Sequence, residues 1–267
     1  MLPITLLGAG NVAWQLGLAL HKSGLQIIEV YSRTPQNAML LASNLNASHV
    51  DSIENINPHQ GIFICCVSDN AITTVAGLLP FKPMLLVHTS GSQPISILEP
   101  YSQNQGILYP LQSIHKNRDI DFSQIPICIE ASHDDAFRHL NQLACLISQH
   151  VVHMSSEHRR QLHLAAVLVS NFTNYLYTQA EEYCNQHEIP FQLLHPLIVE
   201  TAHRVLIESP SAWQTGPAFR HDTLTLQMHK DMLLLNPNLQ DLYERLSQSI
   251  QNFYANHLNN ENKKRPT

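Results

Sequence analysis

The run Gly8-Ala9-Gly10-Asn11-Val12-Ala13 constrains this chain more than any other feature. An apolar stretch, Ile4 to Leu7, leads into it. An amphipathic stretch, Val12 to His21, leaves it and stops near Gly24, a suitable C-terminal cap. A second apolar run, Ile27 to Tyr31, follows. The glycine spacing then has a physical reading. The first glycine permits a tight turn, the second lets a pyrophosphate approach the backbone, and the small third residue, Ala13, lets helix and strand pack closely. The new helix offers unpaired N–H groups and a partial positive charge to the phosphates. The plain alternative is a glycine turn with no ligand. The strand–loop–helix–strand context favours a dinucleotide.

The rest of the chain extends that unit. Further strands are expected at Gly61 to Val67, Met84 to His88, Gly106 to Tyr109 and Ile125 to Ile129, and a helix at Gln36 to Leu45. Strands alternating with helices predict an α/β architecture, a Rossmann-type, mainly parallel sheet. After Ser155 no strand pattern remains. Glu157 to Cys184 is one long helical stretch without Gly or Pro, and Gln240 to Leu258 is a last amphipathic helix striped by Leu242, Leu246, Ile250 and Phe253. The expected organisation is a nucleotide-binding domain over residues 1–154, a C-terminal all-helical substrate and dimerisation domain over 155–258, and a flexible tail over 259–267.

Composition removes several classes of function. A 44% hydrophobic content suffices for a core. No apolar run reaches the roughly 20 residues of a membrane helix, and the first ten residues lack the basic start of a signal peptide. No basic run offers a footprint for nucleic acid. The five cysteines show no CxxC and no even framework and read as reduced, mostly buried thiols of a cytoplasmic protein. Only 13% of residues are charged, and 17 histidines stand out. They include no HExxH, and no metal site is expected. A metal-dependent hydrolase therefore ranks last.

The end of the second strand selects the cofactor. An NAD site places an acid there for the ribose 2′-hydroxyl. This chain has Tyr31-Ser32-Arg33-Thr34, and Glu29 comes too early. Ser32 and Thr34 offer hydroxyls, and Arg33 a fork for a 2′-phosphate, so NADP is expected. Gly8, Gly10, Asn11, Val12 and Ala13 complete the phosphate site. Val67-Ser68-Asp69-Asn70 and His88-Thr89-Ser90-Gly91-Ser92 end later strands at the carboxyl edge, where open α/β sheets bind ligands. Val67, Ser68, His88 and Thr89 are expected beside the cofactor, and Ser90 beside the chemistry.

These residues resemble a family of Rossmann-fold NADP oxidoreductases whose C-terminal half is a helical domain of unknown function. The resemblance also runs through Tyr109-Pro110-Leu111-Gln112, Leu162-His163-Leu164-Ala165-Ala166-Val167 with Ser170-Asn171, and Gln214-Thr215-Gly216-Pro217-Ala218. In layout the family is similar to pyrroline-5-carboxylate reductases, deazaflavin-dependent NADP reductases and the 6-phosphogluconate dehydrogenase superfamily. It often carries Arg-Gly-Asp where this chain has Arg220-His221-Asp222.

The resemblance implies that the first long helix after the sheet lines the active site, presenting a proton donor, often Lys, and an Asn. No Lys lies on this helix. His163, Val167, Ser170, Asn171 and Asn174 share one side at helical spacing. His163 is the candidate general acid, because imidazole titrates near neutrality, and Asn171 would orient a carbonyl or imine. The alternative makes both ordinary packing residues. Ser170, Arg220 and Asp222 are candidate substrate contacts; Arg220 could equally pair with Asp222. The leading expectation is an NADP-dependent oxidoreductase of small carbonyl or imine substrates, a homodimer through its helical domain. The alternative is a non-catalytic dinucleotide sensor or scaffold.

Overall fold

The computed structural model describes residues 2–264, with side chains as far as Asn256. The chain divides into two compact units, residues 1–173 and 174–267.

The first unit is built on one eight-stranded sheet. Its strands are β1 (Ile4–Leu7), β2 (Ile27–Tyr31), β3 (Ser48–Val50), β4 (Ile62–Cys65), β5 (Leu85–His88), β6 (Gln105–Pro110), β7 (Ile127–Ala131) and β8 (Val151–His153). Their spatial order is β3-β2-β1-β4-β5-β6-β7-β8. Every pair is parallel except β6 with β7, where the chain returns antiparallel. The order reverses between β1 and β4. That switch point leaves a crevice at the carboxyl ends of the strands.

The helices α1 (Asn11–Lys22), α2 (Pro35–Leu45), α3 (Ile72–Gly77) and α4 (Asp134–Ile147) cover the sheet. β1, β4 and β5 are buried along their whole length, as strands covered on both faces must be. One apolar cluster packs α1, α2 and α4 onto one face, with Leu16, Leu20, Leu41 and Leu140 among its members. A second holds Phe63, Ile72 and Leu86 on the other.

Four expectations need adjustment. β3 and β8, both edge strands, were not anticipated. β7 starts two residues later than expected, after Pro126, whose missing N–H cannot join the ladder. The long helix is interrupted: α5 (Ser156–Ala166) runs into a π-helical turn, Val167–Phe172, before α6 (Thr173–Gln186). The strands do end just before residue 154. The compact first unit nevertheless continues to Thr173; α5 packs Leu162 against Ile107, Tyr109 and Cys128 of the sheet and pairs Arg159 with Glu130.

The second unit consists of α6, α7 (His195–Arg204), α8 (Thr223–Met232) and α9 (Pro237–Lys264), with a long connection carrying one 3-10 turn, Pro210–Trp213, between α7 and α8. The expected tail is helical as far as Lys264, and the rest of it lies outside the described residues. Only Cys184, Ala218 and Leu233 are buried apolar residues in this unit, among those described. On α8 and just beyond it, Leu224, Met228, Met232 and Leu235 form an outward stripe, exposed by 83%, 52%, 55% and 99%. No helix among the described residues is long and apolar enough to cross a membrane.

Candidate functional site

Two cavities of the first unit gather most of the anticipated residues. One, of about 480 Å³, lies at the switch point and is lined by Gly8, Gly10, Arg33, Thr34, Val67 and Ser68, among others. Its two glycines serve different ends. Gly8 has φ +122°, and a Cβ there would lie 2.4 Å from the Cys66 carbonyl oxygen. This glycine is required by the fold. Gly10 has ordinary φ, and a Cβ there would meet no protein atom within 4 Å. The space above it is open, as a pyrophosphate needs.

Gly10 is also the N-cap of α1. No side chain caps that end and no acid lies in its first turn, so the N–H groups of Asn11, Val12 and Ala13 meet no competing carboxylate. Ala13 is fully buried, as close helix–strand packing requires. The Asn11 side chain instead ties α1 to the loop after β6, its Oδ1 accepting from the Lys116 N–H at 3.2 Å.

At the far end of this cavity Arg33 is exposed and has no ion-pair partner among the described residues. The Ser32 hydroxyl accepts from the Thr34 N–H at 3.3 Å. Glu29 is buried and accepts from Asn57, which removes the one acid of β2 from competition for a ribose.

The second cavity, of about 540 Å³, is lined by Tyr109, Gln112, Ser113 and Leu162 together with His163, Ser170 and Asn171. The π-helical turn supplies the last two. Such turns recur at functional sites because the extra residue redirects side chains. Tyr109 Oη lies 2.9 Å from His163 Nδ1, and the Ser113 and Ser170 hydroxyls are 2.7 Å apart. Burial pushes the Tyr109 phenol up to about 12, so it stays protonated at neutral pH.

The loop after β5 does something the sequence did not reveal. His88 is fully buried: its Nδ1 accepts from the Ser90 N–H at 3.1 Å, and Nε2 faces the Pro94 carbonyl at 3.4 Å. Burial, reinforced by the Arg159 cation, pulls His88 down to about 4, so the ring is neutral. Ser90 Oγ accepts from the N–H groups of Ser92 and Gln93 at 3.1 and 3.0 Å. Thr89 Oγ1 donates to Cys65 O at 3.4 Å. These side chains shape the loop, and neither His88 nor Ser90 lines either cavity. The loop's exposed face carries Ser92, which donates to Asp69.

Arg159 locks this loop to α5. Its side chain is fully buried, with Nη1 2.6 Å from Glu130 Oε2 and Nη2 donating to the Gln93 carbonyl. Ser156 Oγ donates to the same carboxylate at 2.6 Å and accepts from the Ile95 N–H at 3.0 Å. No motif in the sequence singles out Arg159. The only available signal was its place one helical turn before His163.

In the second unit, Asp222 is a helix cap. It accepts from Thr225 N–H at 3.1 Å and Thr225 Oγ1 at 2.8 Å, and those bonds hold its carboxyl below the usual range. No ion pair joins it to Arg220 among the described residues. His221 takes φ +52°, the left-handed region that the family's usual glycine reaches freely. His229 Nδ1 meets Tyr243 Oη at 2.9 Å. Among the described residues no three His, Cys, Asp or Glu are grouped to hold a metal ion.

The crevice, the glycine loop and the strand order define the class: an open α/β dinucleotide-binding fold with a helical C-terminal unit. Comparison with known proteins then places the chain within it. The model described as NADP oxidoreductase, coenzyme F420-dependent, matches residues 3–90, and the domain of unknown function DUF2520 matches residues 125–250. A crystal structure of a Bacteroides fragilis protein assigned as an NADP oxidoreductase is 39% identical, over 94% of this chain and 98% of that one, with a TM-score of 0.89. The chain belongs to that family of NADP oxidoreductases. Likeness of fold alone extends further. The imine reductase of Myxococcus stipitatus, solved with NADP+, is 16% identical over 96% and 94% of the two chains, TM-score 0.64. The pyrroline-5-carboxylate reductase of Streptococcus pyogenes is 12% identical over 94% and 98%, TM-score 0.60. No curated protein matches in sequence.

Proposed function

We propose that this protein is an NADP-dependent reductase of a small compound carrying a C=N or C=O bond. The observation that carries the reading is the switch-point cavity, open above Gly10 and flanked by the exposed Arg33. Gly10 and the first turn of α1 would hold the pyrophosphate. Arg33, with Ser32 and Thr34, would hold the 2′-phosphate. Bound there, NADPH supplies a hydride, whose two electrons reduce the double bond while one proton from the protein completes the new N–H or O–H.

His163 is the proton donor in this reading. It lines a cavity large enough for a small molecule, at the same sheet edge as the cofactor crevice: β5 and β6 are parallel, and Tyr109 lies near the carboxyl end of β6. Asn171, Ser170 and Gln112 offer neutral hydrogen bonds that fix a carbonyl or imine without committing a charge. The remainder of the lining is mostly apolar, with Leu111, Leu162, Ala166 and Val169 among it.

The exposed α8 stripe supports a homodimer formed through the helical unit. Among the described residues this unit buries only three apolar side chains, a small core for its size. The four cysteines buried as thiols fit a reducing, cytoplasmic setting.

The test is NADPH oxidation with a panel of small imines and carbonyls, for the wild type and His163→Ala. The expected result is turnover that falls about 100-fold or more in the variant with NADPH affinity unchanged. Tight NADPH binding without turnover across the panel would support the sensor alternative instead.

A further inference from the structure

Tyr109 sits on β6, and neither the sequence nor the family comparison gives it a role. Its hydroxyl meets Nδ1 of His163 at 2.9 Å, and the two rings pack edge to face with centroids 5.8 Å apart. A third element fixes the pair. A Cβ on Gly91 would lie 2.6 Å from His163 Nδ1 and 2.8 Å from Tyr109 Cζ, so the loop backbone presses against the junction of the two side chains. Only a residue without a side chain allows that approach, although Gly91 needs no left-handed backbone. The loop is itself held by Arg159 through the Gln93 carbonyl. Nδ1 of His163 is thus committed to the protein interior, and no hydrogen bond reaches its Nε2 among the described residues.

We propose that Tyr109 is a positioning residue: it holds the His163 ring by Nδ1, with Gly91 as the backstop, so that Nε2 is the nitrogen that gives the proton. This rests on the reductase reading for its chemistry, though not for its geometry. In the acid form, Nδ1–H donates to the Tyr109 oxygen while Nε2–H faces the substrate. The Nε2 proton passes to the substrate nitrogen or oxygen as its carbon takes the hydride from NADPH. The ring is left neutral and still donating from Nδ1, and water in the open cavity restores the Nε2 proton. A phenol suits this place. It stays uncharged, it can accept from Nδ1–H or donate to bare Nδ1, and it adds no charge to compete with the imidazolium.

The experiment compares wild type, Tyr109→Phe, His163→Ala and the double variant as full-length protein with NADPH. Phe keeps the ring packing and removes only the hydroxyl. Nitrogen NMR of the histidine rings, with His163 identified by its loss in His163→Ala, reads the bond without any substrate. The expected result is a shift of the His163 Nδ1 signal in Tyr109→Phe, reproduced by Gly91→Ala. An unchanged signal overturns the proposal. Turnover with methylpyrroline, a neutral cyclic imine, gives the second reading. Tyr109→Phe should lower kcat about tenfold with KM and NADPH affinity unaltered, and should add nothing in the His163→Ala background, because it acts through that ring. Equal additional loss in that background also overturns it. If the wild type oxidises no NADPH with any imine or carbonyl, the reductase reading fails. The NMR result then decides alone whether Tyr109 orients His163.

Discussion

The two units of this chain satisfy their apolar residues in opposite ways. The sheet unit buries strands on both faces and even encloses an arginine, a histidine and a glutamate-supported loop. The helical unit buries three apolar side chains, among the described residues, and turns a row of leucines and methionines outward. The first unit holds the two cavities described above. The exposed apolar row of the second is what the proposed homodimer would cover. Function should therefore be lost in different ways from the two regions: through site geometry in one, through assembly in the other.

The largest expected effect tests the sheet unit. Glu130→Ala strips the partner from a buried guanidinium, and a broken buried pair costs about 3–5 kcal/mol. Urea unfolding should show that loss, with the loop after β5 the first segment to exchange its amide hydrogens. A loss below about 1 kcal/mol would mean that Arg159 does not lock the loop.

Acid should act on the same unit almost as strongly. His88 titrates near 4 in the fold and near 6.5 when unfolded, so the native state binds fewer protons between those values. Stability contributed by the neutral ring is complete above about pH 6.5 and is lost as pH falls toward 4. The gap corresponds to about 3 kcal/mol. Unfolding followed against pH should show this slope, and His88→Asn should flatten it.

The helical unit makes the contrasting prediction. Leu224→Glu alters a side chain 83% exposed in the single chain, where substitutions normally change stability by less than about 0.5 kcal/mol. Within a homodimer it would bury an unpaired charge. Light scattering should show the dimer giving way to monomer, with the dimer Kd raised about tenfold or more, and Tm should depend on protein concentration. A wild-type monomer would break the comparison between the units.

The sequence exposed the parts of this molecule that depend on neighbours along the chain. Gly8 to Ala13, the absence of an acid after Tyr31, and the six longer strands are local patterns. β3 and β8 escaped because each has three residues and lies at a sheet edge, where one pairing side and exposed side chains leave no apolar run. His88 ends β5 and Ser90 lies in the loop that follows, but their polar atoms turn inward, which no spacing rule reports. Tyr109 and His163 lie 54 residues apart, and Arg159 and Glu130 lie 29 apart. Such pairs depend on strand order, as does the reversal of β7.

Titration of NADPH and NADH by fluorescence tests most directly whether the switch-point cavity holds NADPH by its pyrophosphate and its 2′-phosphate. The wild type should bind NADPH at least about tenfold more tightly, a preference of about 1.4 kcal/mol. Arg33→Ala should abolish that preference without changing NADH affinity. Gly10→Ala, which meets no protein atom, should weaken both cofactors while leaving Tm unchanged. Equal affinity of the wild type for NADPH and NADH, or undiminished binding by Gly10→Ala, would contradict the account.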